Sequence, residues 1–155
     1  MLCLTLLPIM ARIYSHRFNV PADAIDVNRH ANNIEYLRWM QDVAMAHSAA
    51  VGWPMERYLK ERCSWVIRSH FIEYLRPALL DDPINLLTWV ADMGERSSQR
   101  KYLFWRERDR HVIARAETSW VFVDIRAGLP RPISDGVREA FAIVTDEAEV
   151  MAMTE

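Results

Sequence analysis

The chain has 155 residues, a formal net charge of −2, and a composition that is 51% hydrophobic and 26% charged. This length suits one domain, and the composition is that of a folded globular protein rather than a disordered or membrane-embedded one. Because the charge is near neutral and no basic face or tail is present, there is no electrostatic reason to expect a nucleic-acid partner.

The cysteines and the N-terminal residues bear on location. Cys3 and Cys63 do not make a disulfide framework, and no Cys and His residues have the spacing of zinc ligands. We therefore expect reduced thiols in a cytoplasmic protein. The apolar residues 1–10 lack the basic region and the cleavage site of a signal peptide, and they are too few to span a bilayer. We hypothesise that translation begins at Met10, so that residues 1–9 are an extension ahead of the true start.

A strand and a loop come first. Residues 13–20 favour a strand that stops at Pro21, which has no N–H to donate to a sheet. Residues 21–32 are rich in Asp and Asn, whose side chains stabilise turns and caps.

The longest predicted helix follows, from residue 32 to residue 53. Asn32 or Asn33 can cap its N-terminus, and Gly52 and Pro54 stand in the order typical of a C-terminus. The apolar residues recur at helical spacing: Tyr36, Leu37, Met40, Val43, Ala44 and Val51.

After a short helical turn at residues 54–62, the pattern becomes that of β-structure. The predicted strands cover residues 64–75, 84–91, 100–108 and 112–124. A tight Asp109-Arg110 turn joins the last two strands into a hairpin. Residues 135–143 favour a short helix, and we expect the weakly patterned last dozen residues to fray.

This order of elements predicts an α+β domain. Strands joined by short turns favour an antiparallel sheet, and the apolar face of such a sheet has to be buried against the one long helix. The simplest arrangement is a curved antiparallel sheet wrapped around one long central helix. We expect a single domain over residues 1–155, with a core at about residues 12–143.

Three segments resemble known families. Residues 26–36 read D-V-N-R-H-A-N-N-I-E-Y, which resembles the D-x-N-x-H-x-N-N segment of acyl-ACP thioesterases. The same residues are similar to the D-x-x-G-H-x-x-N-x-x-Y segment of the wider 4-hydroxybenzoyl-CoA thioesterase-like group. Residues 72–78 and residues 120–130 resemble a strand and a strand-plus-turn of that group. The resemblance covers about residues 12–143 and implies the hotdog fold.

The resemblance implies hydrolysis of acyl thioesters, without a metal or an organic cofactor. Asp26 is the expected nucleophile or general base on water, with Asn28 and His30 as further catalytic residues. Each has a structural alternative. Asp26 can be a turn residue with an Asx-type bond, Asn28 can be a loop residue that tolerates a left-handed backbone, and His30 can simply be exposed.

The start of the helix is the expected place for substrate. Asn32, Asn33 and Tyr36 are the predicted substrate-binding residues, although Asn32 and Asn33 also suit helix caps. Backbone N–H groups at this helix N-terminus, aimed by residues 28–33, are expected to stabilise the oxyanion.

The segment departs from the family pattern in two places. Arg29 stands where many members of the wider group have Gly, which costs backbone freedom at a tight turn; the acyl-ACP branch also lacks that Gly. Some relatives carry a catalytic Glu on the central helix, where this chain has Gln41 and Asp42. The plant-type enzymes have a second hotdog repeat that bears catalytic groups. With one repeat, this chain is expected to form a homodimer, or a homotetramer of two such pairs.

The expected partners are therefore acyl-CoA or acyl carrier protein thioesters and further copies of the chain, without nucleic acid or a membrane span. Two other activities stay open. A hotdog pocket can bind an acyl thioester or another apolar ligand without hydrolysis, in which case Asp26 is not needed. An enoyl-thioester hydratase is the weaker alternative, because its arrangement of His and Asp on the helix is not found.

Overall fold

The computed structural model describes residues 12–155, so Cys3 and the hypothesised start at Met10 lie outside the described residues. The strands are β1 (Ile13–Asn19), β2 (Cys63–Tyr74), β3 (Pro83–Met93), β4 (Ser97–Arg106) and β5 (His111–Asp124). The helices are α1 (Asn33–Ala50), α2 (Met55–Lys60), α3 (Asp135–Ala140) and α4 (Glu147–Met151), with short 3₁₀ turns at Ala22–Ala24 and Ala152–Thr154.

The five strands form one sheet in the order β1-β3-β4-β5-β2, and every neighbouring pair is antiparallel. The predicted antiparallel sheet around one long helix is confirmed. The succession of strands is not a simple series of hairpins, however. β2 pairs with β5 and not with β3, so the connection at residues 75–82 carries the chain from one edge of the sheet to the other side of it.

The core lies between the concave face of the sheet and α1. Tyr36, Met40 and Val43 on one side of α1 pack with buried residues of the strands, among them Leu86 and Phe104. The helical spacing of the apolar residues therefore predicted the buried face of α1 correctly.

Both predicted ends of α1 are close to the observed ones. The side-chain oxygen of Asn32 accepts a hydrogen bond from the N–H of Ile34 at 3.0 Å, so Asn32 is the N-cap. The helix ends at Ala50, three residues before the predicted end, because Gly52 adopts a left-handed backbone with φ of 95° and Pro54 follows.

The C-terminal residues cover the outer face of the sheet. The expectation that the last dozen residues fray is wrong, because Val144 and Val150 are buried against Leu87, Trp89 and Leu103. The predicted helix at 135–143 ends at residue 140, and the chain then pairs with β3, where the N–H of Val144 donates to the carbonyl oxygen of Val90.

The hairpin between β4 and β5 is also wider than predicted. β4 ends at Arg106 and β5 begins at His111, so four residues form the turn instead of two. The guanidinium of Arg106 pairs with Asp109 across this turn, and Arg110 takes a left-handed φ of 58°. The side-chain pairing thus closes a turn of four residues.

No helix among the described residues is long and apolar enough to cross a membrane. Cys63 is buried and has a free thiol.

Candidate active site

The segment before α1 closes into a small loop. Ile25 and Ala31 form an isolated antiparallel bridge, and the N–H of Asp26 donates to the carbonyl oxygen of His30 at 2.9 Å. Inside this bridge the N–H of Arg29 donates back to the carbonyl oxygen of Asp26, also at 2.9 Å. The backbone of residues 25–31 is thus fixed by its own hydrogen bonds immediately before the helix begins.

The turn of this loop requires a left-handed residue. Arg29 has a φ of 62°, a conformation that costs a residue with a Cβ roughly 1–2 kcal/mol. Many members of the wider group that this segment resembles have Gly at this position, and Arg29 adopts a backbone conformation that Gly takes without that cost.

The Asp26 side chain is partly buried, and one of its oxygens is used by the loop. Oδ1 accepts the N–H of Asn28 at 2.8 Å, which is the Asx-type bond considered as the structural alternative. Within residues 12–155, Oδ2 has no protein partner. The carboxylate therefore holds the turn with one oxygen and leaves the other for a water or a carbonyl carbon.

The tip of the loop faces solvent. The Val27 side chain is 97% exposed, and Asn28, Arg29 and His30 are exposed as well. In the described part of the chain, no side-chain contact joins His30 to Asp26. The backbone N–H of Asn28 is the group that joins Asn28 to Asp26. The side chains of Asn28 and His30, the two further predicted catalytic residues, are accessible to a ligand.

Several backbone donors at the start of α1 are already engaged. The N–H of Ala31 donates to the carbonyl oxygen of Ala78, and that of Asn32 to the carbonyl oxygen of Ala24, both at 2.8 Å. Ile34 donates to the Asn32 cap. Asn33 is the first residue of α1, and its N–H has no acceptor among the described residues. Of the helix N–H groups predicted to stabilise the oxyanion, that of Asn33 is therefore the main candidate.

The predicted substrate-binding residues have different surroundings. Asn33 is exposed, and its carbonyl oxygen accepts a long 3.4 Å hydrogen bond from the Tyr74 hydroxyl at the end of β2. Tyr36 is only 2% exposed and packs edge-on against Tyr74, and burial raises its pKa to about 12. Its ring thus belongs to the floor beneath the loop.

A network of charges supports this floor. Buried Asp82 accepts hydrogen bonds from Arg106, from Arg108 and from the N–H of Leu79. Arg106 also donates to the carbonyl oxygen of Pro77 at 2.8 Å. The connection at residues 75–82 is therefore held by this network on one side. On the other side, its Ala78 carbonyl oxygen accepts the N–H of Ala31.

A cavity of about 590 Å³ lies at the opposite half of α1. Its walls come from the second half of α1, from α2, from the start of β2 and from the concave faces of β3, β4 and β5. Met45, Met55 and Val66 line it and are exposed, while Val90 and Phe141 are buried. Its volume is in the range typical of small-molecule sites.

One wall of the cavity is polar. The Ser48 hydroxyl donates to the carbonyl oxygen of Trp53 at 2.7 Å, so the Tyr58 hydroxyl, 2.8 Å away, donates to Ser48. The Trp65 indole N–H reaches the same Tyr58 oxygen at 3.3 Å. Burial raises the pKa of Tyr58, so that its phenol remains a neutral donor.

The same cavity is lined by Arg100, a residue that belongs to none of the sequence motifs. Its side chain is 6% exposed, and its Nη1 donates to Nδ1 of His47 at 2.9 Å and to the Thr88 hydroxyl at 3.1 Å. His47 is buried as well, at 1% exposed. Arg100 shares strand parity with Tyr102 and Phe104, which was the one available sign that it points inward.

The described residues contain no group of three His, Cys, Asp or Glu side chains that could hold a metal ion.

Comparison with known proteins identifies the family to which the chain is similar. The sequence profile of the thioesterase-like superfamily matches residues 20–141. The chloroplastic oleoyl-acyl carrier protein thioesterase of Coriandrum sativum is 23% identical over 136 residues, which are 84% of this chain and 37% of that enzyme. The long-chain acyl-CoA thioesterase FadM of Escherichia coli (strain K12) is 22% identical over 118 residues, 74% of this chain and 86% of that one.

Solved structures agree on the fold. Slr0204, a 1,4-dihydroxy-2-naphthoyl-CoA thioesterase from Synechocystis, aligns with a TM-score of 0.76 over 83% of this chain and 94% of that chain, at 12% identity. The predicted hotdog fold is thereby confirmed. The matched residues span 37% of the length of the coriander enzyme.

Proposed function

Because the chain belongs to the thioesterase-like superfamily, we propose that it hydrolyses acyl thioesters of coenzyme A or of acyl carrier protein. The observation that carries this proposal is the closed loop at residues 25–31, which places a carboxylate with one unused oxygen directly before the N-terminus of a long helix. That arrangement supplies a base or nucleophile beside backbone donors and the positive end of a helix dipole.

Asp26 performs the first step in either of two ways. As a general base, it removes a proton from water while the water oxygen attacks the thioester carbon. The C–S bond then breaks, and the thiolate leaves with a proton. As a nucleophile, the Asp26 oxygen attacks the same carbon and expels the thiolate, and water then hydrolyses the resulting anhydride. Both routes give a carboxylic acid and a free thiol.

The neighbouring residues act on the same carbonyl group. The N–H of Asn33 stabilises the oxyanion, because it is the donor of the first turn that has no acceptor among residues 12–155. The exposed Asn28 amide and the His30 imidazole orient the water or the thioester and assist proton transfer. Asn32 and Tyr36 shape the substrate site as cap and floor, with Asn33 at its rim.

The loop and the cavity of one protomer lie toward different ends of α1. Asn33 and Met45 lie twelve residues apart on α1, which is about 18 Å along the helix axis. A short acyl group cannot bridge that distance, so we propose that a second protomer completes the site in a homodimer.

The edge strand β2 is where the two protomers pair. Among residues 12–155, β2 has a neighbouring strand only on its β5 side, and it exposes Val66 and Phe71. Its start lines the cavity, and its end carries Tyr74 beside Asn33. Antiparallel pairing of two β2 strands about a two-fold axis sets the start of one against the end of the other. The loop of each protomer then faces the cavity of its partner, and two dimers can pair again as a homotetramer.

We place the reaction in the cytoplasm, where the free thiol of Cys63 would remain reduced.

The test is thiol release from a panel of acyl-CoA and acyl carrier protein thioesters. Asp26→Ala should lower kcat/KM by about a hundredfold or more, as expected for loss of a general base. Asp23→Ala is the matched control, because Asp23 lies three residues away in the same loop region, is exposed and has no proposed role.

Equal activity of the wild type and Asp26→Ala would contradict the proposed role of Asp26. Absence of turnover on every thioester would favour the alternative, a ligand-binding protein in which the Asx bond of Asp26 is purely structural.

A further inference from the structure

Arg100 is a buried cation without a counter-ion. No carboxylate lies within 4.0 Å of its guanidinium among residues 12–155. Arg106, the other buried arginine in this range, pairs with Asp82 and Asp109. Both of its protein partners, His47 Nδ1 and the Thr88 hydroxyl, are neutral acceptors. A buried charge without an opposite charge destabilises the empty protein, so this position favours an anionic occupant.

The hydrogen-bonding capacity of Arg100 is only partly used. Nη1 makes both of its bonds, and the described residues give no acceptor to Nε or Nη2. These two atoms form one edge of the guanidinium fork, and that edge matches the two oxygens of a carboxylate. Burial lowers the pKa of Arg100, and an anion beside it would oppose that shift.

A second donor in the same cavity also lacks an acceptor. The indole N–H of Trp120 is buried and makes no hydrogen bond of good geometry within the described chain, and Trp120 lines the cavity together with Arg100. The buried Tyr102 hydroxyl lies beside Trp120 and Thr118 and does not line this cavity. The cavity wall therefore carries the Trp120 N–H as well as Arg100, and a purely apolar acyl chain would give neither of them an acceptor.

The rest of the cavity is apolar. Val90, Met93 and Phe141 line it near Arg100, and Met45 and Met55 line it where the side chains are exposed. A ligand that fits this distribution has an apolar arm and an anionic end.

We propose that this cavity binds the distal end of an acyl group that ends in a carboxylate, with Arg100 pairing to that carboxylate. The inference rests on the proposed thioester hydrolysis and specifies its substrate class as ω-carboxyacyl thioesters. The thioester end lies toward the catalytic loop of the partner protomer, and the free carboxylate lies against Arg100.

The first test compares matched pairs of thioesters that differ only at the distal end. Adipyl-CoA against hexanoyl-CoA, and glutaryl-CoA against pentanoyl-CoA, are hydrolysed by the wild-type protein and by Arg100→Met. We expect the wild type to prefer each carboxylated substrate by about tenfold or more in kcat/KM, the usual size of a hydrogen bond to a charged group. Arg100→Met should abolish that preference, and Arg96→Met, which changes an exposed arginine just before β4, should keep it.

The second test does not depend on turnover. Free adipate should raise the melting temperature of the wild type and of Asp26→Ala, and calorimetry should detect its binding. Hexanoic acid amide, which has no charge, should have a much smaller effect, and Arg100→Met should respond to neither.

The outcomes separate the two proposals. Turnover of hexanoyl-CoA with no preference for adipyl-CoA and no binding of adipate would overturn the role of Arg100 and leave thioester hydrolysis standing. Arg100-dependent binding of adipate without turnover of any thioester would keep the carboxylate site and overturn the hydrolase. If Arg100→Met does not fold, a wild type that favours hexanoyl-CoA still overturns the inference.

Discussion

The backbone N–H of Ala31 donates to the carbonyl oxygen of Ala78 across 2.8 Å, and this bond ties the loop that carries Asp26 to the connection between β2 and β3. The connection is held in turn by Arg106, which donates to the carbonyl oxygen of the adjacent Pro77 and to Asp82. The position of the candidate catalytic loop therefore depends on a charge network that never reaches it directly.

Removing Arg106 should weaken both the fold and the loop. Arg106→Met leaves buried Asp82 with one guanidinium partner instead of two and leaves the carbonyl oxygen of Pro77 without its donor. We expect a loss of about 3 kcal/mol in the free energy of unfolding, the lower end for a broken buried pair. Urea unfolding followed by tryptophan fluorescence measures it, with the exposed Arg126→Met as control. A change below about 1 kcal/mol would mean that the network is not needed for stability.

The same network predicts an acid limit. A hydrogen bond from Arg106 lowers the pKa of Asp109 from its ordinary value of 3.8 to about 2. Burial alone would raise the pKa of Asp82, but hydrogen bonds from Arg108, the Leu79 N–H and Arg106 outweigh it and lower that pKa. Because both carboxyls bind protons less readily in the folded state, their stabilisation is present above about pH 4 and is lost as the pH falls toward about 2.

Asp109→Asn should therefore flatten this acid limb. Melting temperatures measured between neutral pH and about pH 2 should fall less steeply in the variant than in the wild type, although the variant is less stable at neutral pH. Asp42→Asn, an exposed change on α1, is the control and should keep the wild-type slope. Parallel curves for the wild type and Asp109→Asn would show that this pairing does not contribute.

Replacing the two asparagines at the start of α1 should have different effects on stability, because only Asn32 caps the helix. Asn32→Ala removes the side-chain oxygen that accepts the N–H of Ile34, which should cost about 1 kcal/mol of stability. Asn33→Ala removes an exposed side chain from the first turn and should change stability by no more than about 0.5 kcal/mol. Chemical denaturation measures both, and equal losses would contradict the assignment of Asn32 as the cap. A raised KM in Asn33→Ala at unchanged stability would support its place at the rim of the substrate site.

The sequence predicted best where local rules and packing agree. The apolar stripe of α1, its Asn32 cap and its Gly52-Pro54 ending all favour the same helix, and that helix is present. The hairpin turn and the C-terminal residues were predicted wrongly because side-chain contacts act there that the local pattern does not reveal. Arg106 pairs with Asp109 across the turn, and Val150 of α4 packs with Trp89 of β3.

The candidate site divides in the same way. Asp26 and Asn28 are two residues apart in the chain, so a short motif was enough to identify both as candidates. Arg100 lies 53 residues from its partner His47. Alternation along β4 puts Arg100 on the face of Tyr102 and Phe104, but it does not reveal the His47 contact or the cavity at that face.

A site shared between two protomers should behave differently in mixed dimers from a site that lies within one protomer. Asp26→Ala removes the catalytic carboxylate, and Met45→Trp fills the cavity at a residue that is exposed in one protomer. Each homodimer of these variants should be inactive. A mixed dimer, however, carries one site with both lesions and one site with neither, because each site takes its loop from one protomer and its cavity from the other.

Random mixing of the two variants makes half of the dimers mixed, so about a quarter of the wild-type activity should return. The measurement is thioester hydrolysis after the two variants are co-expressed with different tags, with light scattering to confirm that dimers form. A mixture of Asp26→Ala with Asp26→Asn is the control, and it should recover nothing. If the Asp26→Ala and Met45→Trp mixture also stays inactive while mixed dimers are present, the loop and the cavity of one protomer do not serve the partner, and the β2 pairing proposed for the active site is wrong.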